Sequence, residues 1–389
     1  MHSTTLTANH QASTQRIRSV DLLRGAVMVL MAIDHVRVYS GLPAGGDTAG
    51  IFFTRWVTHF CAPAFVFFAG TSGFLYGRKL EKKSQLGWYL LTRGLLLVVL
   101  ELTLIRFFWT FNLAFDQFML AGVIWMLGWC MVIMAALVWV RPMALGIGGL
   151  AIIFLQQFFS KVPALLPESS RDWFGRFWEF IYSSGTEPWP AFTILYVLVP
   201  WIGVMMTGYA FGAIVSMEPA RRRRICLWIG LSAIAIFLVG AGIAVWQRPP
   251  GDNDAPFIFQ LLNQRKYPAS QWYLLMTLGP VIALTPFAEK ARGWLAEVLI
   301  VFGKVPMFYY LAHILLIHLS ALLVNMIVGI EGSMKIYSTA PYTWMPDHRW
   351  SLPLLYLVFL IDVALLYFLC NWYMRYKFAH PEKKWLKYV

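Results

Sequence analysis

Long apolar segments recur along the whole chain and set its fold class. At about 20 residues each, they are long enough to cross a bilayer as helices. Ten such segments cover residues 20–40, 56–77, 87–106, 118–139, 143–159, 191–216, 225–246, 270–288, 297–329 and 352–374. The ninth is longer than one straight helix needs, and Pro306 predicts a break in it because proline lacks an amide N–H. The pattern predicts an all-α, polytopic transmembrane helix bundle.

The polar segments between and beyond the spans predict the domain organisation. Residues 1–18 lack an apolar run, which predicts a disordered cytoplasmic tail and not a cleavable signal peptide. Residues 19–376 are predicted to form a single transmembrane domain, and residues 377–389 a basic cytoplasmic tail. Residues 171–184 mix aromatic and charged side chains, which is typical of an amphipathic helix in the outer interface and equally of an ordinary aromatic interface segment. The piece 297–303 can be transmembrane, re-entrant or interfacial.

Composition supports a membrane protein and argues against a nucleic-acid partner. Hydrophobic residues make up 59% of the chain and charged residues only 13%, against roughly 25% in an ordinary soluble domain. The net charge is +13, but the cations flank apolar spans, so membrane topology explains them better. Lys and Arg concentrate in alternate connections, with a run at 221–224. By the positive-inside rule, this bias predicts that both termini are cytoplasmic.

Charged and polar side chains interrupt the first two spans, where a simple anchor would carry none. A charge near the bilayer centre costs at least about 2.5–3.5 kcal/mol. The two spans nevertheless contain Asp21, Arg24, Asp34, His35, Arg37, Arg55 and His59. We therefore expect these spans to line a polar site.

Helical spacing suggests how these residues are arranged. Asp34 and Arg37 are three apart and can pair, and Arg55 and His59 are four apart and share a face. Because the two spans are antiparallel neighbours, His35 and His59 are expected to face each other at similar depth. Glu101 and Arg106, near the outer end of the third span, are expected to join them.

Such a cluster contains the groups needed for acyl transfer. A histidine can act as general base, a carboxylate can fix its tautomer, and an arginine can stabilise an oxyanion. We found no separate Ser or Cys nucleophile motif, so direct transfer is the simpler mechanism. The expected catalytic residues are His35, Asp34, His59 and Glu101. The alternative is that each histidine is a hydrogen-bonded packing residue.

Further polar residues are candidates for substrate binding. Arg24, at the cytoplasmic end of the first span, can hold an anionic cosubstrate or form an ion pair with Asp21. In the ninth span, His313 is a better candidate than His318, because the two lie roughly 140° apart around the helix. The expected substrate-binding residues are Arg37, Arg55, Arg24, His313 and Asp362. Gly208 and Gly212 form a small-xxx-small pattern that predicts helix packing.

Three segments carry a resemblance to a known family. They read SVDLLRGAVMVLMAIDHVR from residue 19, THFCAPAFVFFAGTSGFL from residue 58 and FGKVPMFYYLAHILLIHL from residue 302. They resemble a bacterial membrane family that is similar to the catalytic domain of heparan-alpha-glucosaminide N-acetyltransferase. The first two segments are fairly specific, and the third recurs across membrane acyltransferases.

The resemblance implies an acyltransferase of the bacterial inner membrane. It implies that acyl-CoA, typically acetyl-CoA, is the cytoplasmic cosubstrate, and that a histidine passes the acyl group to a sugar or glycolipid on the other side. No metal is expected, and membrane lipid and a glycan or glycolipid acceptor are the expected partners. The family's key histidine lies in the loop between its first two matching spans, whereas the loop at 41–54 contains no histidine. The sequence leaves open whether the chain forms a homo-oligomer.

Two other functions fit part of the pattern. A transporter or flippase would explain buried charges and proline-broken spans, although paired halves are common in transporters and none is visible here. A haem or quinone protein would use histidines on facing helices, and nothing else in the sequence supports it.

Overall fold

The chain folds almost entirely into helices. The computed structural model describes residues 2–44, 48–186, 189–249, 255–339 and 349–388. Its helices are α1 (His2–Tyr39), α2 (Ala49–Trp56), α3 (Cys61–Gly77), α4 (Lys83–Leu100), α5 (Arg106–Thr110), α6 (Val123–Leu137), α7 (Pro142–Phe154), α8 (Glu168–Trp178), α9 (Trp201–Val215), α10 (Pro219–Trp246), α11 (Phe257–Leu262), α12 (Gln271–Ala288), α13 (Trp294–Lys304), α14 (Pro306–Val328), α15 (Ser333–Thr339) and α16 (Leu352–Ala379).

Short irregular elements join several of these helices. A 3₁₀ turn (Val57–Phe60) joins α2 to α3, and a π-helix (Glu101–Ile105) joins α4 to α5. Further 3₁₀ turns are Gln156–Lys161, Pro163–Leu165 and Lys384–Lys387. Strands β1 (Met119–Ala121) and β2 (Phe192–Ile194) pair in parallel, with Met119 opposite Phe192, Leu120 opposite Thr193 and Ala121 opposite Ile194.

The predicted all-α class is confirmed, and each predicted apolar segment contains a helix. By length and composition, four helical segments of the described chain can cross a membrane: Ala49–Gly77, Pro219–Trp246, Pro306–Val328 and Leu352–Ala379. The apolar helices α6, α7 and α9 are shorter. The chain is therefore a helical integral membrane protein, whereas ten crossings and cytoplasmic termini stay predictions.

Several predicted boundaries differ from the structure. The fourth and sixth segments were placed too early, because they start in β1 and β2 and their helices begin only at Val123 and Trp201. The helix α1 begins at His2, and the disordered cytoplasmic tail at residues 1–18 stays a prediction.

Pro306 and the amphipathic segment behave as predicted. The ninth segment is broken between Lys304 and Pro306, which occupies the first turn of α14, where a missing amide N–H is tolerated. The amphipathic segment forms α8, with Trp173 and Phe177 exposed. Whether α8 lies in a membrane interface stays a prediction.

Glycines let several pairs of helices approach to backbone contact. A Cβ at Gly25 of α1 would lie 1.8 Å from the Leu299 carbonyl oxygen, and one at Gly303 of α13 would lie 1.9 Å from that of Asp21. The α3–α9 crossing is as close, since a Cβ at Gly208 would lie 2.0 Å from the Phe67 oxygen. This confirms that Gly208 serves helix packing.

The α4–α6 crossing is reciprocal. A Cβ at Gly94 or at Gly128 would lie 2.6 Å from the other glycine's carbonyl oxygen. Small residues at such crossings maximise van der Waals contact where lipid provides no hydrophobic driving force. These crossings hold α1, α3, α6 and α13 around the site described next.

The α1–α13 crossing predicts an asymmetric response to two alanine substitutions. Gly303→Ala places a methyl group against the backbone of Asp21 and should lower the free energy of unfolding by about 1–3 kcal/mol, the usual cost of overpacking. Gly242→Ala, in α10, meets nothing within 4 Å and should be neutral or stabilising because alanine favours the helix. Thermal unfolding in detergent measures both. Equal melting temperatures for the two variants would contradict the crossing.

Candidate active site

His35 lines a cavity next to the C-terminal half of α1. The cavity and the solvent at its open mouth together measure about 520 Å³. Its wall is formed by Met31, Asp34, His35, Thr58, Cys61, Ala62, Phe65, Val66, Val123, Ile124, Leu127, Tyr196, Lys266 and Tyr310. We call it the His35 cavity.

A second, larger cavity lies beside the middle of α1. With the solvent at its open mouth it measures about 1080 Å³, and it is lined by four cations. These are Arg24 of α1, Arg93 of α4, Lys304 of α13 and Lys377 of α16. No carboxylate of the described residues lines it, and Tyr76, Tyr89 and Ser72 complete its polar surface. We call it the cationic cavity.

The two cavities share one wall. Phe65, Ile124, Leu127 and Tyr310 line both of them. Arg24 and His35 are separated by roughly 16 Å along α1, at 1.5 Å per residue. A cationic pocket and a histidine-bearing pocket therefore adjoin within the bundle, at different depths.

His35 is hydrogen-bonded to another histidine and not to a carboxylate. Its Nδ1 lies 2.7 Å from Nε2 of His313, a fully buried residue of α14. The Trp109 ring packs edge-on against His35, with a centroid distance of 4.9 Å. The sequence predicted that His313 binds substrate. His313 lines neither cavity, so it lies behind His35 and does not face a bound substrate directly.

Asp34 is held by its own helix. It accepts hydrogen bonds from Nε and Nη2 of Arg37, at 3.0 and 2.9 Å. Arg37 also donates to the Leu42 carbonyl at 3.0 Å. The predicted Asp34–Arg37 pair is present, and it leaves Arg37 buried and engaged with protein groups.

Lys266 is the cation of the His35 cavity. It precedes α12, lines the cavity and lies 6.0 Å from the Tyr196 ring centroid and 5.3 Å from that of Tyr267. It is also within electrostatic reach of Asp34 and His35. Sequence reasoning placed an arginine in this role, and the loop that holds Lys266 offered no motif.

The expected facing of His35 and His59 stays a prediction, and no hydrogen bond or ring contact joins the two side chains in the described part of the chain. His59 is buried, its Nδ1 bonds the Trp56 carbonyl at 3.0 Å, and it lines neither cavity. Its ring packs against Tyr273. His59 lies within the 3₁₀ turn (Val57–Phe60) that joins α2 to α3.

Glu101 and Arg106 also serve other contacts. The buried Glu101 carboxylate accepts bonds from the amides of Gly122, Ile124 and Trp125, at the start of α6, where a helix dipole favours negative charge. Arg106 donates to the carbonyls of Asn112, Ala114 and Phe118. Neither residue lines the His35 cavity, so their expected place in the cluster is not observed.

Arg55 and Asp362 stand apart from both cavities. Arg55 is half-buried near the end of α2. Asp362 accepts a hydrogen bond from Ser320 at 2.7 Å and not from a histidine. His318 packs between Phe111 and Tyr39 and bonds the Phe108 carbonyl at 2.8 Å. A substrate-binding role for Arg55 or Asp362 has no geometric support.

Arg24 lies at the α1–α13 crossing as well as in the cationic cavity. Its Nη2 bonds Asp21 at 2.6 Å, and its Nε bonds the Gly303 carbonyl at 2.9 Å. Arg93, Lys304 and Lys377 were not predicted as site residues. Arg93 and Lys304 fall inside predicted apolar spans, and the cost of a charge there was a signal that could have identified them.

Within the ranges that the structure describes, no group of three or more His, Cys, Asp or Glu side chains is arranged to hold an ion. Cys61 lines the His35 cavity but is buried, and its thiol donates to the Val27 carbonyl at 3.1 Å.

Comparison with known families agrees with this architecture. A helical membrane bundle with a buried histidine site is typical of an integral-membrane transferase. A family model described as heparan-alpha-glucosaminide N-acetyltransferase, catalytic, matches residues 16–245. The match covers more than half of the chain, so the protein belongs to this family and has a membrane acetyltransferase-type function. No curated protein matches the chain.

The residues matched by the family model include only part of the site. Arg24, His35 and Arg93 lie within the matched residues, whereas Lys266 and His313 lie beyond them. The part of the site contributed by α12–α16 is therefore known only from the geometry of this chain.

The cationic cavity predicts charge-selective labelling. In Ser72→Cys, the new thiol would lie beside Arg24, whose Nη1 is 3.5 Å from Ser72 Oγ. An anionic methanethiosulfonate should react at least about tenfold faster than a cationic one at low salt, because like-signed walls concentrate the opposite charge. The ratio should fall as salt screens the field.

The wild-type chain provides the control for labelling, since its four cysteines are buried. Faster reaction with the cationic reagent, or no reaction above the wild-type rate, would contradict an open cationic cavity.

Proposed function

We propose that the protein transfers an acyl group, most simply acetyl, from cytoplasmic acyl-CoA to a sugar or glycolipid on the outer side of the membrane. The observation that carries the proposal is the wall shared by the cationic cavity and the His35 cavity. One cavity suits a polyanionic donor, and the other offers a base for the acceptor.

The orientation of the chain in the membrane is part of the proposal. Ten spans with both termini in the cytoplasm put the start of the first span (residues 20–40), the end of α13 and the end of α16 on the cytoplasmic side. Arg24 lies near the start of that span, and Lys304 and Lys377 lie at or near the ends of α13 and α16. The cationic cavity then opens to the cytoplasm, where acyl-CoA is available, and the His35 cavity lies toward the outside. A bacterial inner membrane fits this arrangement.

The donor's chemistry matches the cationic cavity. Coenzyme A carries a diphosphate and a ribose phosphate, and Arg and Lys bind such groups through charge-assisted hydrogen bonds. Tyr76 and Tyr89 line the same cavity and offer rings on which an adenine can stack. The pantetheine arm would pass between Phe65, Ile124, Leu127 and Tyr310 to bring the thioester to His35.

Acceptor activation uses the free nitrogen of His35. Nε2 of His35 removes a proton from the acceptor hydroxyl or amine as the acceptor attacks the thioester carbonyl. The Lys266 ammonium stabilises the oxyanion that forms. The carbon–sulfur bond then breaks, and the CoA thiolate takes the proton from His35 and leaves as the thiol. No covalent acyl-enzyme is required.

The acceptor class rests on the family's name and on location. The family is named for an enzyme that acetylates a glucosaminide, so an amino sugar or a glycolipid at the outer membrane face is the proposed acceptor. Membrane lipid surrounds the apolar helices.

A transporter or flippase is the second candidate, because adjoining cavities at two depths also fit a transport path. It would require neither acyl-CoA binding nor His35 as a base. The two experiments below separate these functions.

Donor binding should depend on the cationic cavity. Acetyl-CoA should raise the melting temperature of the purified protein, since a ligand that binds only the folded state stabilises it. ATP should give a smaller shift. Arg93→Ala and Lys304→Ala should each weaken acetyl-CoA binding about tenfold, as loss of one charge-assisted contact worth about 1.5 kcal/mol implies.

Lys79→Ala is the matched control for donor binding. Lys79 is a cation beyond α3 that does not line the cavity, and its loss should leave the shift unchanged. Absence of any shift at millimolar acetyl-CoA would contradict the donor site and favour the transporter.

Transfer should depend on His35. His35→Ala should lower acetyl transfer to glucosamine, used as a probe acceptor, by at least about 10²-fold, because general-base catalysis contributes about 10²–10⁴. Release of the CoA thiol reports the rate. Donor binding should persist, since His35 does not line the cationic cavity.

His380→Gln, beyond α16, controls for histidine loss elsewhere in the chain. Full transfer by His35→Ala would refute the proposed base. Transfer reduced equally in both variants would indicate a general effect on folding.

A further inference from the structure

The hydrogen bond between His35 and His313 determines which ring nitrogen of each histidine carries a hydrogen. The mechanism above does not use this property. The two nearest ring nitrogens, Nδ1 of His35 and Nε2 of His313, are 2.7 Å apart, and the rings are inclined by only 20°. This geometry is that of an in-plane hydrogen bond. One nitrogen must carry the hydrogen, and the other must offer its lone pair.

A backbone carbonyl decides which nitrogen is the donor. Nδ1 of His313 lies 3.0 Å from the carbonyl oxygen of Tyr309, one turn earlier in α14. A carbonyl oxygen only accepts, so the hydrogen of a neutral His313 ring is on Nδ1. Nε2 of His313 is then the acceptor, and Nδ1 of His35 is the donor.

The consequence appears at the other nitrogen of His35. With its hydrogen on Nδ1, a neutral His35 has an unprotonated Nε2. Across the described residues, no hydrogen bond joins this nitrogen to a protein group, and His35 lines the cavity. The lone pair that a general base needs is thus presented to the cavity.

The groups that usually fix a catalytic histidine are engaged elsewhere. Asp34 is paired with Arg37, and Glu101 is bonded to the start of α6. An imidazole therefore takes the place that a carboxylate holds in a histidine–carboxylate pair, and no additional negative charge has to be buried next to His35.

Packing keeps the second histidine in place. The Tyr309 hydroxyl donates to the Met28 carbonyl of α1 at 2.9 Å, which ties α14 to α1 below the pair. The Tyr310 ring meets His313 edge-on, at a centroid distance of 5.2 Å. His313 is fully buried, so solvent does not compete for either of its nitrogens.

We infer that His313 is a positioning residue that holds His35 in the Nδ1–H tautomer and so presents Nε2 of His35 as the base. The inference rests on the proposed function for its catalytic meaning, but the tautomer itself does not depend on any reaction. His313 touches neither the donor nor the acceptor and acts only through His35.

The tautomer is measured directly by ¹⁵N NMR of histidine-labelled protein in detergent. Signals present in wild type and missing in His35→Gln belong to His35, one of eight histidines. We expect a protonated Nδ1 and an unprotonated Nε2 in the wild type. A wild-type His35 with its hydrogen on Nε2 would overturn the inference, with no variant needed.

Two amides of different length test the role of His313. Gln places its side-chain oxygen near the position of Nε2 and can accept from Nδ1 of His35, whereas Asn is one methylene shorter and cannot reach. His313→Gln should keep the Nδ1–H tautomer and most of the activity. His313→Asn should move His35 toward the Nε2–H tautomer and lower kcat about 10–100-fold, with KM for acetyl-CoA within about twofold.

The outcomes separate the two proposals. If His35 has the Nδ1–H tautomer in wild type and loses it in His313→Asn, the positioning role stands, even if transfer later proves independent of His35. If the tautomer is the same in wild type, His313→Gln and His313→Asn, the positioning role fails, while the donor site and the base His35 remain to be judged by their own experiments.

Discussion

The backbone contact between α1 and α13 fixes the distances on which both cavities depend. Gly25 and Gly303 allow the two helices to touch without intervening side chains, and the Arg24 guanidinium bonds the Gly303 carbonyl at the same place. Only Val305 separates α13 from α14, so the position of α13 constrains the position of α14 and hence of His313. The meeting of His35 with His313 therefore depends on a helix crossing several turns away.

Several of the charges buried in the bundle are matched locally. Asp34 is paired with Arg37, and Arg222 with Glu289 at 2.6 Å. Glu101 is held by the amides of α6. Breaking a buried pair by removing one partner costs far more than an exposed pair is worth, so these contacts are structural constraints. The groups that remain available for chemistry are the His35 imidazole, with one free nitrogen, and the nearby Lys266 ammonium.

Much of the fold could be predicted because apolar length and proline are local signals. The helices follow the apolar segments, Pro306 marks the break before α14, and Gly208 marks a close crossing. The candidate site was only partly predictable. His35, Arg24 and the Asp34–Arg37 pair follow from charges within apolar spans and from helical spacing.

The remainder of the site depends on contacts between distant parts of the chain. His35 meets His313 across 278 residues, and no local pattern indicates that pairing. The 3₁₀ turn that contains His59 has no strong sequence signal. Glu101 was expected near the histidines because its span and depth fit, but the start of α6 lies close enough to capture its carboxylate.

The wall common to the two cavities has a consequence for the energy metabolism of the cell. Phe65, Ile124 and Leu127 are apolar, and Tyr310 adds only a phenol. A constriction of this kind holds no continuous water and resists the passage of ions. In the proposed orientation it would allow a thioester arm to reach across while the barrier stays closed to protons and salts. The protein could then export acyl groups without dissipating the membrane potential.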